Sequence, residues 1–216
     1  MKPLLAKPRL KSQVLTMDDE HQQLSQGGEP VLADLFSEYR ERLKRLIDFR
    51  LDQRLKSRVD TSDVLQESFI ELARRYQEYL KQPKVSFFVW ARQLTIQTLI
   101  DVQRRHFGQK RTPTQEAKFP HYYADDTSCS IAQFFCDQMI SPSRAAIREE
   151  EIERLHAALD SMDQTDREVL ALRHFEHLSN SEVAETLGLS ISAASNRYVR
   201  AMTRLREILQ EFDQDL

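Results

Sequence analysis

Leu178-Ser-Asn-Ser-Glu-Val-Ala-Glu-Thr-Leu-Gly-Leu-Ser-Ile-Ser-Ala-Ala-Ser-Asn-Arg-Tyr198 holds two short helical patterns separated by one glycine. Ser179 is placed to cap the first pattern, with Glu182 three residues on as its capping-box partner. Val183, Ala184 and Leu187 form the inner face of that helix. Gly188 stands where the chain must turn sharply, a position that commonly takes positive φ. Leu189 plugs the turn. Ser190 or Ser192 caps a second helix, whose inner face is Ala194, Tyr198 and Ala201. Ala184 and Ala194 are small where the two helices would cross closely. The pattern predicts a helix-turn-helix.

In that arrangement the second helix enters the major groove of DNA. Its early outward positions are Ser192, Ala193, Ser195, Asn196 and Arg197, and Asn and Arg suit adenine and guanine edges. From Ile191 to Arg206 there are four arginines, Arg197, Arg200, Arg204 and Arg206, and no carboxylate. A packed helical hairpin with no ligand is the alternative for the motif, and a solvated helix face the alternative for the charge run.

Working outward, the 216 residues include only 4 Gly and 7 Pro, with 30% charged and 40% hydrophobic, which argues against a sandwich or barrel needing frequent turns. The breakers cluster at Gly27–Pro30 and from Gly108 to Pro142. Between them Leu65, Phe69, Leu72, Ala73, Tyr76 and Leu80 fall on one helical face, with Thr61, Ser62 or Asp63 as candidate caps. Further helices are expected over 31–51, 85–106, 143–160, 164–175, 179–187 and 191–212. The fold class expected is all-α: a disordered leader 1–29, a helical domain 30–111, a flexible linker 112–144, and a helix-turn-helix domain 145–212. A helix over 130–140, with Ile131, Phe134, Phe135 and Met139, would pack on either domain or on a partner.

Net charge is −3, yet residues 30–111 carry 17 Lys/Arg against 11 Asp/Glu, a net +6, ending in Arg104, Arg105, Lys110 and Arg111. Basic stretches in both domains point to a polyanion partner. The N-terminus has no signal-like apolar run, and no apolar segment approaches the roughly 18 residues of a membrane span, so the chain is expected in the cytoplasm. Cys129 and Cys136 make neither a disulfide framework nor a four-ligand zinc site. His174, Glu176 and His177 invite a metal, but histidines at i and i+3 without a third placed ligand usually mark a helix end, and neither a phosphate loop nor a nucleophile–base arrangement is present; no metal, cofactor or enzymatic activity is expected.

With these residues in hand, the chain resembles the extracytoplasmic-function group of bacterial RNA polymerase sigma factors, over about residues 30–111 and 145–210. Asp63-Val-Leu-Gln-Glu-Ser-Phe69 is similar to the family's polymerase-binding motif. Trp90 to Arg105, with Asp101 inside it, resembles the helix that melts and reads the −10 element, and Leu155 to Leu209 the domain that reads the −35 element. The resemblance implies a transcription initiation factor with no catalysis of its own. Its partners would be core RNA polymerase (clamp of the largest subunit, flap of the second), promoter DNA and, as the family provides, an anti-sigma factor. Asp63, Gln66, Glu67, Phe69 and Glu71 would face the clamp. Trp90, Arg92, Gln97, Arg104 and Arg105 would serve the −10 element, with Arg92 on backbone phosphates and Gln97 at a pocket for a flipped base. Ser192, Ala193, Ser195, Asn196, Arg197, Arg200 and Arg204 would serve the −35 element. Asp125 and Asp126 are similar to a family linker threading the polymerase cleft. Phe87, Phe88 and Trp90, aromatic residues at a helix start, read first as core, with stacking platforms as the alternative. The rival reading is a free-standing helix-turn-helix regulator that binds duplex DNA as a dimer and has no need of the 63–71 strip.

Overall fold

The computed structural model describes residues 17–107, 122–139 and 145–214, and among these it is helical, with eight α-helices and no strand. Lys110, Arg111 and most of the breaker-rich middle lie outside the described residues.

Helix α1 (Met17–Arg50) is two helical pieces meeting at Gly28, whose φ of 60° and ψ of −142° only glycine takes readily. Pro30 follows within the helix and has no N–H to give. The expected disordered leader is therefore corrected from Met17 onward. Leu24 is fully buried, Glu20 is buried beside Tyr39 and the Phe87 N–H, and His21 Nε2 lies 3.0 Å from the Leu80 carbonyl.

Helix α2 (Thr61–Lys81) is capped by Asp60 rather than by any of the three candidates after it: its Oδ1 accepts the Ser62 N–H at 2.7 Å. Leu65 and Leu72 are buried, and Phe69, Ala73, Tyr76 and Leu80 pack against the same core as predicted. Helix α3 (Phe87–Phe107) is apolar on most sides, with Phe87, Phe88, Val89, Ala91, Leu94, Leu99 and Val102 buried, so it runs through the middle of the first half. Each of these three helices packs on the other two.

The second half is built on α4 (Tyr122–Met139), α5 (Ala145–Asp160), α6 (Gln164–Leu170), α7 (Asn180–Leu187) and α8 (Ile191–Gln214). The expected linker 112–144 thus contains a helix. Ile131, Ala132 and Cys136 of α4 are buried with Leu155 and Leu159 of α5. Helix α6 widens into a π turn over Ala171–Phe175, in which Glu176 N–H bonds to the Ala171 carbonyl five residues back. His177 follows at φ 56°.

The two halves expected from the breaker pattern share their apolar core. Val169, Leu172, Leu178, Val183, Ala184 and Ala194 belong to the same buried cluster as α1, α2 and α3. Phe49 of α1 stacks on Phe175 with centroids 4.6 Å apart. No helix among the described residues is long and apolar enough to cross a membrane.

Candidate nucleic-acid interface

On α2 the helical repeat puts Asp63, Gln66, Glu67 and Glu71 on the side away from Leu65 and Leu72. Asp63 and Gln66 are exposed and Glu67 and Glu71 half-buried. Glu67 accepts from Arg105 of α3 at 2.6 Å, and Glu71 pairs with Arg74 at 2.7 Å and Arg75 at 3.2 Å. Phe69, grouped with them by the motif, turns inward instead, its ring 5.1 Å from that of Phe36. Ile70, 49% exposed, stands beside the polar strip, and the amphipathic pattern gave no reason to single it out. A cleft of about 280 Å³ runs between the start of α2 and the end of α3, lined by Arg58, Asp60, Asp63, Glu67, Arg105 and His106 among others.

Gln93, Gln97 and Asp101 recur every four residues on the exposed stripe of α3, with Arg105 a turn further on. Gln97 is therefore accessible as expected, and Arg104 is half-buried. Trp90 stacks on Tyr79 (centroids 4.4 Å, planes 17° apart), which places it on the core side of its two readings. Arg92 departs from expectation. It is 2% exposed and turned into the second half, where its Nε donates to Glu176 Oε2 at 2.6 Å and its Nη2 to Glu176 Oε1 at 3.0 Å. Burial would raise the Glu176 pKa, but Arg92 and Arg50 outweigh it and bring it down to about 2. Glu176 therefore serves two arginines instead of joining His174 and His177 at a cation.

The N-terminus of α3 is held by carboxylates from two distant helices. Glu185 of α7 accepts from Ser86 N at 3.0 Å and Ser86 Oγ at 2.6 Å, and Glu20 of α1 accepts from Phe87 N at 3.3 Å. Anions there are favoured by the helix dipole and the unpaired N–H groups. Burial raises the Glu20 pKa, against hydrogen bonds from Tyr39 and Phe87. Neither carboxylate is adjacent in sequence to the helix it caps, so only an inspection of the fold finds them.

The helix-turn-helix forms as predicted. Ser179 and Glu182 make the reciprocal capping box, and Gly188 ends α7 at φ 63°, ψ 34°. Leu189 N–H bonds back to the Ala184 carbonyl at 2.8 Å. Ser190 caps α8, its Oγ accepting from Ala193 N at 3.1 Å. Ala194 and Ala201 are fully buried under α6 and α7, while Tyr198 is partly buried. Ser192, Ser195 and Asn196 are exposed, and Ala193 is half-buried.

The arginines of α8 are less free than the acid-free run implied. Arg200 donates to Asp166 at 2.8 and 2.6 Å, and Arg197 reaches Asp166 at 3.1 Å and Asp163 at 3.3 Å. Arg204 pairs with Glu207 of its own helix at 3.0 Å. Asp163 is the N-cap of α6, and burial of its carboxyl is outweighed by the Thr165 and Asp166 N–H groups, which lower its pKa. The Asp163-x-x-Asp166 spacing is a helix-start signature, the one signal that could have located this clamp in the sequence. Asp125 and Asp126 fall within α4, but their side chains lie outside the described residues.

The protein family described as ECF sigma factor matches residues 19–211. The chain is 28% identical over 184 residues to the ECF RNA polymerase sigma factor SigE of Mycolicibacterium smegmatis, covering 85% of this chain and 63% of that protein's length. It is 24% identical over 156 residues to the RNA polymerase sigma-H factor of Pseudomonas aeruginosa, covering 70% and 74%. A solved structure of CnrH in complex with the cytosolic domain of CnrY aligns with a TM-score of 0.48 at 20% identity, covering 89% of this chain and 96% of that one.

Proposed function

The chain belongs to the ECF sigma factor family, and from that membership together with the exposed surfaces above we propose that it binds core RNA polymerase and directs it to promoters with −10 and −35 elements. The observation that carries the proposal is the polar strip of Asp63, Gln66 and Glu67, held outward on the same chain as a capped helix-turn-helix. A free-standing regulator has no use for the strip. The strip would pair with a basic surface of the polymerase clamp, beside the exposed Ile70. The second half would lie near the polymerase flap, and an anti-sigma factor is a partner class to test alongside.

In this reading α8 lies in the major groove of the −35 element. Asn196 can take an adenine edge and Arg197 a guanine edge, each good bidentate contact worth about 1–3 kcal/mol of discrimination. Arg204 would contact phosphate and position without reading. At the −10 element the outward stripe of Gln93, Gln97 and Asp101 offers hydrogen-bonding groups to an unstacked base. Unstacking costs a few kcal/mol, which capture in a pocket offsets. Family members are non-enzymatic, and the chemistry of RNA synthesis belongs to the polymerase.

The test is run-off transcription with purified core polymerase on genomic fragments. Discrete transcripts that appear only when the chain is added are expected. Transcript patterns identical to those of core alone would refute the proposal.

A further inference from the structure

Two guanidinium groups of α8 are held by carboxylates at the start of α6. Asp166, in the first turn of that helix, lies 34 residues before Arg200 in sequence. Its Oδ2 accepts from Arg200 Nε at 2.8 Å and its Oδ1 from Arg200 Nη2 at 2.6 Å, a two-point bond. The same Oδ1 accepts from Arg197 Nη1 at 3.1 Å, and Asp163 Oδ1 accepts from that Nη1 at 3.3 Å. Asp166 has a side chain 8% exposed, and its own N–H is bonded to Asp163 Oδ1 at 3.3 Å. The Arg200 side chain is 60% exposed. The carboxylate is therefore fixed by packing while the guanidinium it holds reaches solvent.

A guanidinium is a planar fan of five N–H donors. Nε with Nη2 forms one fork of parallel donors, and Nη1 with Nη2 forms another. Asp166 takes the first fork of Arg200, which leaves the second to be presented. Two parallel donors match either the O6 and N7 acceptors of guanine or two oxygens of a phosphate. The charges decide between them. Arg197 and Arg200 taken with Asp163 and Asp166 carry no net charge, so they gain little from a phosphate, and the Asp166 carboxylate repels one. A guanine edge is uncharged and meets no such repulsion. Arg204 differs, because its partner Glu207 lies on its own helix with both side chains about half exposed (46% and 51%), and a pair of that kind yields readily to phosphate. Arg200 also stands one helical turn beyond Asn196, on the side of α8 proposed to face base edges.

We propose that Asp166 is a positioning residue for −35 recognition: it grips Arg200 by one fork of the guanidinium so that the other fork reads a guanine. This rests on the reading of α8 as the helix that enters the −35 major groove. Asp166 itself touches no base. Its effect is to fix a long side chain before DNA arrives, which reduces the rotamer freedom lost on binding. It also removes Arg200 from the pool of charges that hold any sequence alike, so the contact adds discrimination rather than general affinity. Specificity at one base pair is thus set from α6, outside the recognition helix.

The experiment measures fluorescence anisotropy of the full-length chain on a −35 duplex from a promoter found by run-off transcription. Each guanine of the element is replaced in turn by 7-deazaguanine, which lacks the N7 acceptor and keeps the base pair. The unaltered chain should bind roughly fivefold more weakly when the guanine read by Arg200 is replaced, about half the discrimination of a bidentate contact. Arg200→Ala should erase that penalty, which identifies the base. Asp166→Asn should shrink the same penalty to roughly twofold or less. It should also bind an unrelated duplex more tightly, with a salt slope steeper by about one, because the released guanidinium now meets phosphate. Asp166→Glu keeps an anion in the first turn of α6 but moves it by one methylene, so it should fold even if Asp166→Asn does not, with a penalty between the two. Melting curves of each variant identify those that fold. A penalty unchanged in the folded Asp166 variants would overturn the positioning role, as would an equal loss of affinity for every duplex, or no guanine whose penalty Arg200→Ala removes. Absence of transcripts with the unaltered chain would instead overturn the initiation-factor reading on which the proposal rests, so the two failures are separable.

Discussion

Charge reversal on α2, Asp63→Arg with Glu67→Arg, separates folding from docking. The folding cost follows from the contacts. The Glu67–Arg105 pair spans 2.6 Å with both side chains reached by solvent (44% and 61% exposed), so its loss is worth about 0.2–1 kcal/mol. Asp63 sits in the first turn of α2, where an anion gains about 0.3–1 kcal/mol from the helix dipole. Reversal replaces both attractions by repulsions of similar size, so the total is about 1–4 kcal/mol, a fall in Tm of roughly 2–16 °C for a chain of this length. Neither residue belongs to the apolar core, so cooperative unfolding should persist. Docking should suffer more. Each charge pair lost from a desolvated interface typically costs about 2–5 kcal/mol, and two weaken binding by at least roughly a thousandfold. The assays are co-elution with core polymerase, thermal melting, and binding of a −35 duplex by the same variant. The expected outcome is no co-elution, a modestly lower Tm and unchanged duplex binding. A cooperatively folded variant that co-elutes like the unaltered chain would refute the docking role of α2.

Three further outcomes follow from the geometry. Glu176, buried against Arg50 and Arg92 and held at about 2, is protonated more easily unfolded than folded; its contribution is fully present above about pH 4.5 and is lost as pH falls from there through about 2, so unfolding free energy should drop steeply over that window and much less in Glu176→Gln. Gly188→Ala meets no atom within 4 Å, so its cost is the left-handed backbone alone, about 1–2 kcal/mol, seen as a lower Tm with weaker −35 binding. Arg197→Ala should cost about 1–3 kcal/mol at one −35 position and relax preference there, whereas Arg204→Ala should weaken all sequences evenly and lower the salt slope by about one; identical profiles of the two variants on matched and mismatched duplexes would reject this division.

The helix-turn-helix and the apolar face of α2 were legible in the sequence because short-range rules write them: a capping box spans three residues, a left-handed turn needs glycine, and burial repeats every three or four positions. The outward placement of Asp63, Gln66, Ser195 and Asn196 followed from the same periodicity. The early part of α1 was not legible. It docks through one leucine and two polar anchors, Glu20 and His21, whose partners lie up to 67 residues away. Helix α4 was only partly legible: the apolar positions from Ile131 onward are plain in the sequence, but nothing local specifies α5 as the surface that buries them. Arg92 is the clearest division between the two levels. As sequence it is an arginine on a basic helix that resembles a DNA-reading one. In the fold a π turn brings Glu176 to it, and 84 residues of separation become a 2.6 Å ion pair. Local spacing decides which residues share a helix face, because helix geometry is set by the backbone. Which distant charge a buried guanidinium meets is decided only by packing, since the cost of burying a charge is offset only where the partner is brought to it.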